Sequence, residues 1–288
     1  MYDLSGRRCL ITGASRGFGA TLAGLFWSCG ASLVLASRSA DGLERVRQGL
    51  AERPGQTVCE VVVDLTRPGA AHDLLEQATR QAGGLEVLVN NAAVQGPVGT
   101  LWQTDPADWD ATFRLDFLAV VDLCRHAVVS MGEVGGGKII NISGGGATGP
   151  RPRFSAYASS KAALVRFSET LAEETRDCRI DVNCVAPGAM ATAMTEAVIA
   201  AGPGRAGERE YRDALRTKEK GDTATERAAS LCAFLASSES DGITGKLLSA
   251  VWDPWESLAE HSEDLRQTDI YTLRRIVPAD RGRTWGGQ

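Results

Sequence analysis

Tyr157 and Lys161 stand four residues apart in Tyr157-Ala158-Ser159-Ser160-Lys161, at the start of a long helical pattern. On a helix that spacing puts both side chains on one face. A free phenol with a pKa near ~10 is a poor proton-transfer group at neutral pH, and a neighbouring ammonium favours the phenolate. Such a pair can take a proton from a bound oxygen or give one to it. A Tyr-x-x-x-Lys pair by itself is more often an amphipathic surface pair. Its chemistry depends on what the rest of the chain brings to that face.

A second constellation is Thr12-Gly13-Ala14-Ser15-Arg16-Gly17-Phe18-Gly19, where a first apolar run turns into a first helical segment. Glycines there permit a tight turn and close backbone approach. The helix N-terminus beyond them offers free N–H groups and a partial positive charge to a pyrophosphate. A second apolar run ends in Ala36-Ser37-Arg38, with no acid before Asp41. A nicotinamide cofactor lacking the 2′-phosphate is usually held at that point by an acid, and the phosphorylated form by a cation. Arg38, joined by Arg16, therefore points to NADP(H), with NAD(H) left open.

These groups need a scaffold. Strand-like runs occur at Arg8–Thr12, Ser32–Ala36, Val58–Val63, Glu86–Val89, Lys138–Ile142 and Ile180–Val185. Helical segments between them are Gly19–Cys29, Leu43–Glu52, Ala70–Ala82, Asp108–Met131 and Ala156–Arg176. Apolar strands alternating with helices predict an α/β fold with one doubly wound, Rossmann-like parallel sheet covered on both faces. A last unit comes after them, a helix over Thr225–Ala236 and a strand near Lys246–Ala250. Residues 1–250 read as one dinucleotide-binding and catalytic domain. Residues 194–222 read either as a lid over the site or as a solvated helix pair of mixed charge. Residues 251–288 form a C-terminal extension, expected to pack on the domain or on a neighbouring subunit.

Composition narrows the function. With 31 Lys and Arg against 36 Asp and Glu, a net charge of −5 argues against a general nucleic-acid binder. No apolar run approaches the ~18–20 residues of a membrane span, and no export signal is visible at Met1–Gly6. The 7 Cys show no CxxC spacing and the 3 His lie far apart, so neither a disulfide framework nor a metal site is expected. A cytoplasmic location is the expectation.

Taken together the chain resembles the classical short-chain dehydrogenase/reductase (SDR) family from about Leu4 to Ser249. Besides the glycine loop it carries Asp64-Leu65 after the third strand and Asn90-Asn91-Ala92-Ala93 after the fourth. Tyr157 and Lys161 come next, and then Pro187-Gly188-Ala189-Met190-Ala191-Thr192 after the sixth strand. The resemblance implies cofactor contacts from Gly13, Ser15, Arg16, Gly17, Phe18, Gly19, Arg38, Asp64, Leu65, Asn91, Ala92, Pro187, Gly188 and Thr192. Tyr157 would be the acid/base in hydride transfer between cofactor and a secondary alcohol or ketone. Lys161 would depress the tyrosine pKa and bind the nicotinamide ribose. A homodimer or homotetramer, built on the helices over Asp108–Met131 and Ala156–Arg176, is also implied.

The sequence departs from the family pattern at several points. Where classical members place a catalytic Ser, thirteen residues before the tyrosine, this chain has Gly144. Ser143 is the nearest hydroxyl, with the backbone of residues 144–146, Thr148 and Ser155 as other candidates for holding the substrate oxygen. Where the family has an Asn, the chain has Asp116, whose carboxylate would raise the pKa of Lys161. Ala93 replaces a common Gly, a minor change, and the C-terminal end differs, with a Trp252-Asp253-Pro254-Trp255 turn expected mainly to pack. The alternatives to a dehydrogenase are an epimerase or dehydratase that retains its cofactor, and a non-catalytic dinucleotide-binding protein. Basic residues from Arg205 to Lys220 leave an anionic substrate open.

Overall fold

A computed structural model describes residues 2–220 and 223–285. Among the described residues the apolar runs form β1 (Arg8–Thr12), β2 (Ser32–Ser37), β3 (Val58–Val62), β4 (Val87–Asn90), β5 (Gly137–Ile142), β6 (Ile180–Ala186) and β7 (Leu247–Ser249). All pair in parallel, in the order β3-β2-β1-β4-β5-β6-β7. Parallel pairing demands long crossovers. They are supplied by α1 (Gly17–Ser28), α2 (Ala40–Gln48), α3 (Ala70–Ala82), α4 (Pro106–Phe113), α5 (Ala119–Glu133), α6 (Ser155–Glu174), α7 (Ala193–Ala206), α8 (Glu208–Lys220) and α9 (Thr223–Ala236).

Strand alternation sends successive side chains to opposite layers. Cys9, Ile11, Leu33 and Leu35 pack in the layer of α1 and α9. Leu10, Val34 and Leu88 pack in the layer of α3, α5 and α6. Strand order reverses direction between β1 and β4, which opens a crevice beyond their C-terminal ends, the usual ligand position in such sheets.

One stretch differs from the sequence expectation. Asp108–Met131 is not one helix: a single π-helical turn, Arg114–Leu118, separates α4 from α5. An extra residue in a turn rotates the helix beyond it, and such turns cluster at functional sites. Here Asp116, at its centre, is fully buried. Over residues 194–222 the chain forms the helix pair α7 and α8, as one of the two readings of this stretch had it, while residues 221 and 222 lie outside the described residues. Gly202, with φ +71, and Pro203 kink α7. Val198, Ala206 and Ala214 pack this pair onto Phe154 and Val98.

Residues beyond β7 pack against the same sheet. Trp255, Leu258 and Leu265 are buried in the layer of α1 and α9, whereas Trp252 is 84% exposed. Buried Lys246 donates from Nζ to the carbonyls of Thr268 and Ile270, both at 3.0 Å. Glu169 accepts from the Leu273 N–H at 2.6 Å, and Leu247 N–H donates to the Tyr271 carbonyl at 2.8 Å. These bonds hold Tyr271 and Thr272 at the rim of the crevice. Lys246→Met is expected to cost about 1–3 kcal/mol. It should also hasten proteolysis near residues 268–273, as urea denaturation and limited trypsin digestion would show.

Candidate active site

Beyond the C-terminal ends of β1 and β4 lies a cleft of about 2010 Å³. Sites for drug-sized ligands hold ~300–1,000 Å³, so the volume admits a dinucleotide with a substrate beside it. Gly13, Ser15, Arg16, Gly17, Phe18, Gly19, Arg38, Asp64, Leu65, Asn91, Ala92, Tyr157, Lys161, Pro187, Gly188 and Thr192 all line this one space, as does Ser143. Asp116 does not line it and lies behind its wall.

The phosphate cradle is built by close packing. Gly13, at φ +66, lies so near the β4 turn that a Cβ would come within 2.9 Å of Ala92 Cα, and a Cβ on Gly19 would overlap the Gly13 carbonyl. Asn91 braces the loop by donating from Nδ2 to the Thr12 carbonyl at 2.8 Å, and Thr12 Oγ1 accepts from the N–H groups of Asn91 and Ala92 at 3.0 Å each. No side chain caps the N-terminus of α1, and no acid occupies its first turn. Those unpaired N–H groups and the absence of a carboxylate fit the pyrophosphate of a dinucleotide. At the far end Arg16 and Arg38 are exposed along the lining, and Arg45, which sequence reasoning missed, joins them from the last turn of α2. Asp64 is held below its ordinary carboxylate range chiefly by hydrogen bonds from Thr66, with Arg38 adding to the effect.

At the inner end Tyr157 and Lys161 project from the first turns of α6, both buried. The phenol rests on Gly144, where even a Cβ would overlap the Tyr157 hydroxyl. Lys161 Nζ donates to the Ile142 carbonyl at 3.0 Å and stands 5.6 Å from the Tyr157 ring centroid. The expected depression of the phenol pKa is not found. Burial pushes it up to about 12, the Asp116 carboxylate adds to the rise, and Arg151 opposes it. Burial likewise lowers the Lys161 pKa, outweighing the pull of Asp116 in the direction anticipated from sequence. Asp116 itself is raised to about 6 by burial, against the opposing effects of Lys161 and of the Val94 N–H, which donates to Oδ1 at 2.9 Å.

Three buried polar atoms near this end have no partner among the described residues: Ser143 Oγ, Gln95 Nε2 and Asp116 Oδ2. Ser143 and Gln95 line the cleft, so each can meet an oxygen placed there. Thr148 also lines it. Ser155 does not: its Oγ accepts from Trp109 Nε1 at 3.3 Å. Gln95 escaped sequence reasoning because a lone Gln after the Asn-Asn-Ala-Ala turn carries no pattern. Among the described residues no group of three or more His, Cys, Asp or Glu could hold a metal ion, and no helix is long and apolar enough to cross a membrane.

A doubly wound sheet with an open helix N-terminus at its switch point is the architecture of dinucleotide-dependent enzymes. Residues 7–201 match the short chain dehydrogenase family, and the chain belongs to it. It is 35% identical over 211 residues to a short-chain type dehydrogenase/reductase of Picea abies, covering 69% of this chain and 78% of that one. It is 31% identical over 250 residues to gluconate 5-dehydrogenase of Gluconobacter oxydans (strain 621H), covering 86% and 94%. A crystal structure of a short-chain type dehydrogenase/reductase from Mycobacterium marinum superposes with a TM-score of 0.73 at 28% identity, covering 86% and 94%. Membership makes the protein an oxidoreductase of small molecules that uses a nicotinamide cofactor.

Proposed function

We propose that the protein is an NADP(H)-preferring reductase of a small-molecule ketone, working reversibly on the corresponding secondary alcohol, with Tyr157 as acid/base. The observation that carries this reading is a buried phenol and ammonium on one helix face, sharing a cleft with an uncapped α1 N-terminus. When bound, the nicotinamide supplies the hydride for a carbonyl carbon. Tyr157 gives its phenolic proton to the carbonyl oxygen, and in the reverse direction takes the alcohol proton. A phenol raised to about 12 stays protonated at neutral pH, which suits reduction. Lys161 orients the nicotinamide ribose, and Ser143, with Gln95, holds the substrate oxygen in place of the hydroxyl that Gly144 lacks. Asp116 takes the place of the family Asn. Residues 1–250 form the catalytic domain, 251–288 an extension of it, and the protein works as a cytoplasmic homodimer or homotetramer.

The direct test is loss of absorbance at 340 nm with NADPH and a panel of ketones. Tight cofactor binding with no turnover across the panel would count against the reading. Gly144 motivates a second reading, an epimerase or dehydratase that keeps its cofactor, for which cofactor surviving purification at near-full occupancy is the mark. Arg38→Asp is expected to weaken NADPH binding about 10- to 100-fold through lost phosphate pairing and added repulsion. NADH binding should change much less, as fluorescence titration of both cofactors would show.

A further inference from the structure

The loop between β5 and α6 holds an arginine that the hydride-transfer reading does not use. Arg151 sits between Pro150 and Pro152, six residues before Tyr157, where the prolines restrict the backbone on either side of it. Its guanidinium lies over the fully buried Phe154 ring at 4.0 Å from the centroid, and 5.6 Å from the Tyr157 ring centroid. Gly145 and Gly146 let its stem lie flush on the run beside the phenol: a Cβ on Gly146 would come within 3.3 Å of Arg151 Cβ. The side chain is only 18% exposed. A cation this sheltered and this well supported is prepared for a partner.

Its present partner is Glu210 of α8, which also lines the cleft. Arg151 Nε and Nη2 both donate to the same oxygen, Glu210 Oε2, at 3.1 and 2.8 Å. A fork-to-fork pair would use both carboxylate oxygens. The pairing is therefore less than the guanidinium can make, and the group that occupies it is a carboxylate on a helix bordering the site.

We propose that Arg151 is the substrate-specificity residue, receiving the carboxylate of a small oxo acid, with Glu210 holding that position until the substrate displaces it. This rests on the reductase reading above and names its substrate class. The bound carboxylate lies beside the phenol and so brings the neighbouring ketone to Tyr157. A monoanion is favoured over a phosphate dianion because Glu208, Glu210 and Asp213 line the same rim. Displaced Glu210 turns to solvent, which it already meets in part.

The test compares a short 3-oxo acid with its methyl ester, in wild type, Arg151→Met and Glu210→Gln, alongside calorimetric titration of butanoate and butanamide into the NADPH-loaded protein. In Arg151→Met the ratio of kcat/KM for acid over ester is expected to fall about 30-fold or more, through a raised KM for the acid. Glu210→Gln should lower the acid KM, since the competing carboxylate is gone. Wild type should bind butanoate over butanamide, and Arg151→Met should lose that preference. A loss in Arg151→Met that strikes acid and ester alike, or a Glu210→Gln that raises both KM values, makes the pair a mere strap on α8 and overturns the proposal. Ketone turnover without acid preference defeats this inference and spares the reductase reading. Butanoate binding through Arg151 without turnover of any ketone does the reverse.

Discussion

Tyr157→Phe is expected to lower kcat about 10³- to 10⁴-fold, near the upper range for removal of a positioned general acid, while NADPH affinity changes less than about threefold. The change deletes one oxygen. The ring remains seated on Gly144 and beside Lys161, so the fold and the cradle at α1 stay intact. Burial raises the wild-type phenol to about 12, and no ordinary surface group offers the same proton at the same place. Stopped-flow absorbance at 340 nm measures the chemical step, and fluorescence titration measures the cofactor. If Tyr157→Phe retains more than a tenth of wild-type turnover, the proton comes from elsewhere, and Ser143 becomes the first candidate. If wild type itself never turns over, the non-catalytic reading gains.

The geometry at Gly144 bears on the same step. A Ser side chain cannot be added there while the phenol keeps its place, because the Tyr157 hydroxyl already occupies the Cβ position. The glycine at 144 and the inward seat of the tyrosine are thus one feature, not two. On the proposed reading the substrate oxygen falls to Ser143 Oγ and Gln95 Nε2, buried atoms at the cleft with no partner among the described residues. A donor that met the developing oxyanion there would contribute on the order of 2.7–4 kcal/mol.

Most of the scaffold could be read from the chain. β1 ran as expected from Arg8 to Thr12, and α3 from Ala70 to Ala82, because apolar period and flanking Gly both marked the ends. The glycine loop was legible for a similar reason: its spacing has meaning only between a strand and a helix. Other features were not. The π-helical turn at Arg114–Leu118 leaves no trace in an otherwise helical pattern, since one extra residue per turn alters register and not composition. The sequence placed Asp116 near Lys161, but its full burial and the carboxyl's rise to about 6 depend on that turn. Lys161 was expected to lower the phenol pKa on grounds of charge alone. Burial, which no local pattern reports, reversed the sign. Nothing in the sequence singled out Arg151; Phe154 beneath it is close in sequence, but Glu210 across from it comes from a distant segment.

Lys161→Met is expected to destabilise the protein increasingly above pH 6, by about 1–3 kcal/mol at pH 8, with kcat falling at least 10²-fold. Asp116 is the group left behind: fully buried, one carboxylate oxygen without a partner among the described residues, and held down in pKa by Lys161. Removing the ammonium drives that carboxyl above its value of about 6. Its unfolded value is near 3.8, so the native state binds more protons than the unfolded chain between the two pKa values. Asp116 therefore favours folding fully below pH 3.8, and that contribution is lost as pH rises through about 6. In Lys161→Met the loss extends to higher pH. The variant should be close to wild type near pH 5 and fall increasingly below it between pH 6 and 8, as read by urea denaturation at each pH. Asp116→Asn removes the titrating group and should restore much of the lost stability in the double variant, without restoring turnover. It should also lower the Tyr157 pKa, since the Asp116 charge raises it, and so move the rising limb of the kcat/KM profile for alcohol oxidation to lower pH. Equal destabilisation of Lys161→Met at pH 5 and pH 8, with no rescue by Asp116→Asn, would show that the two groups are not energetically coupled.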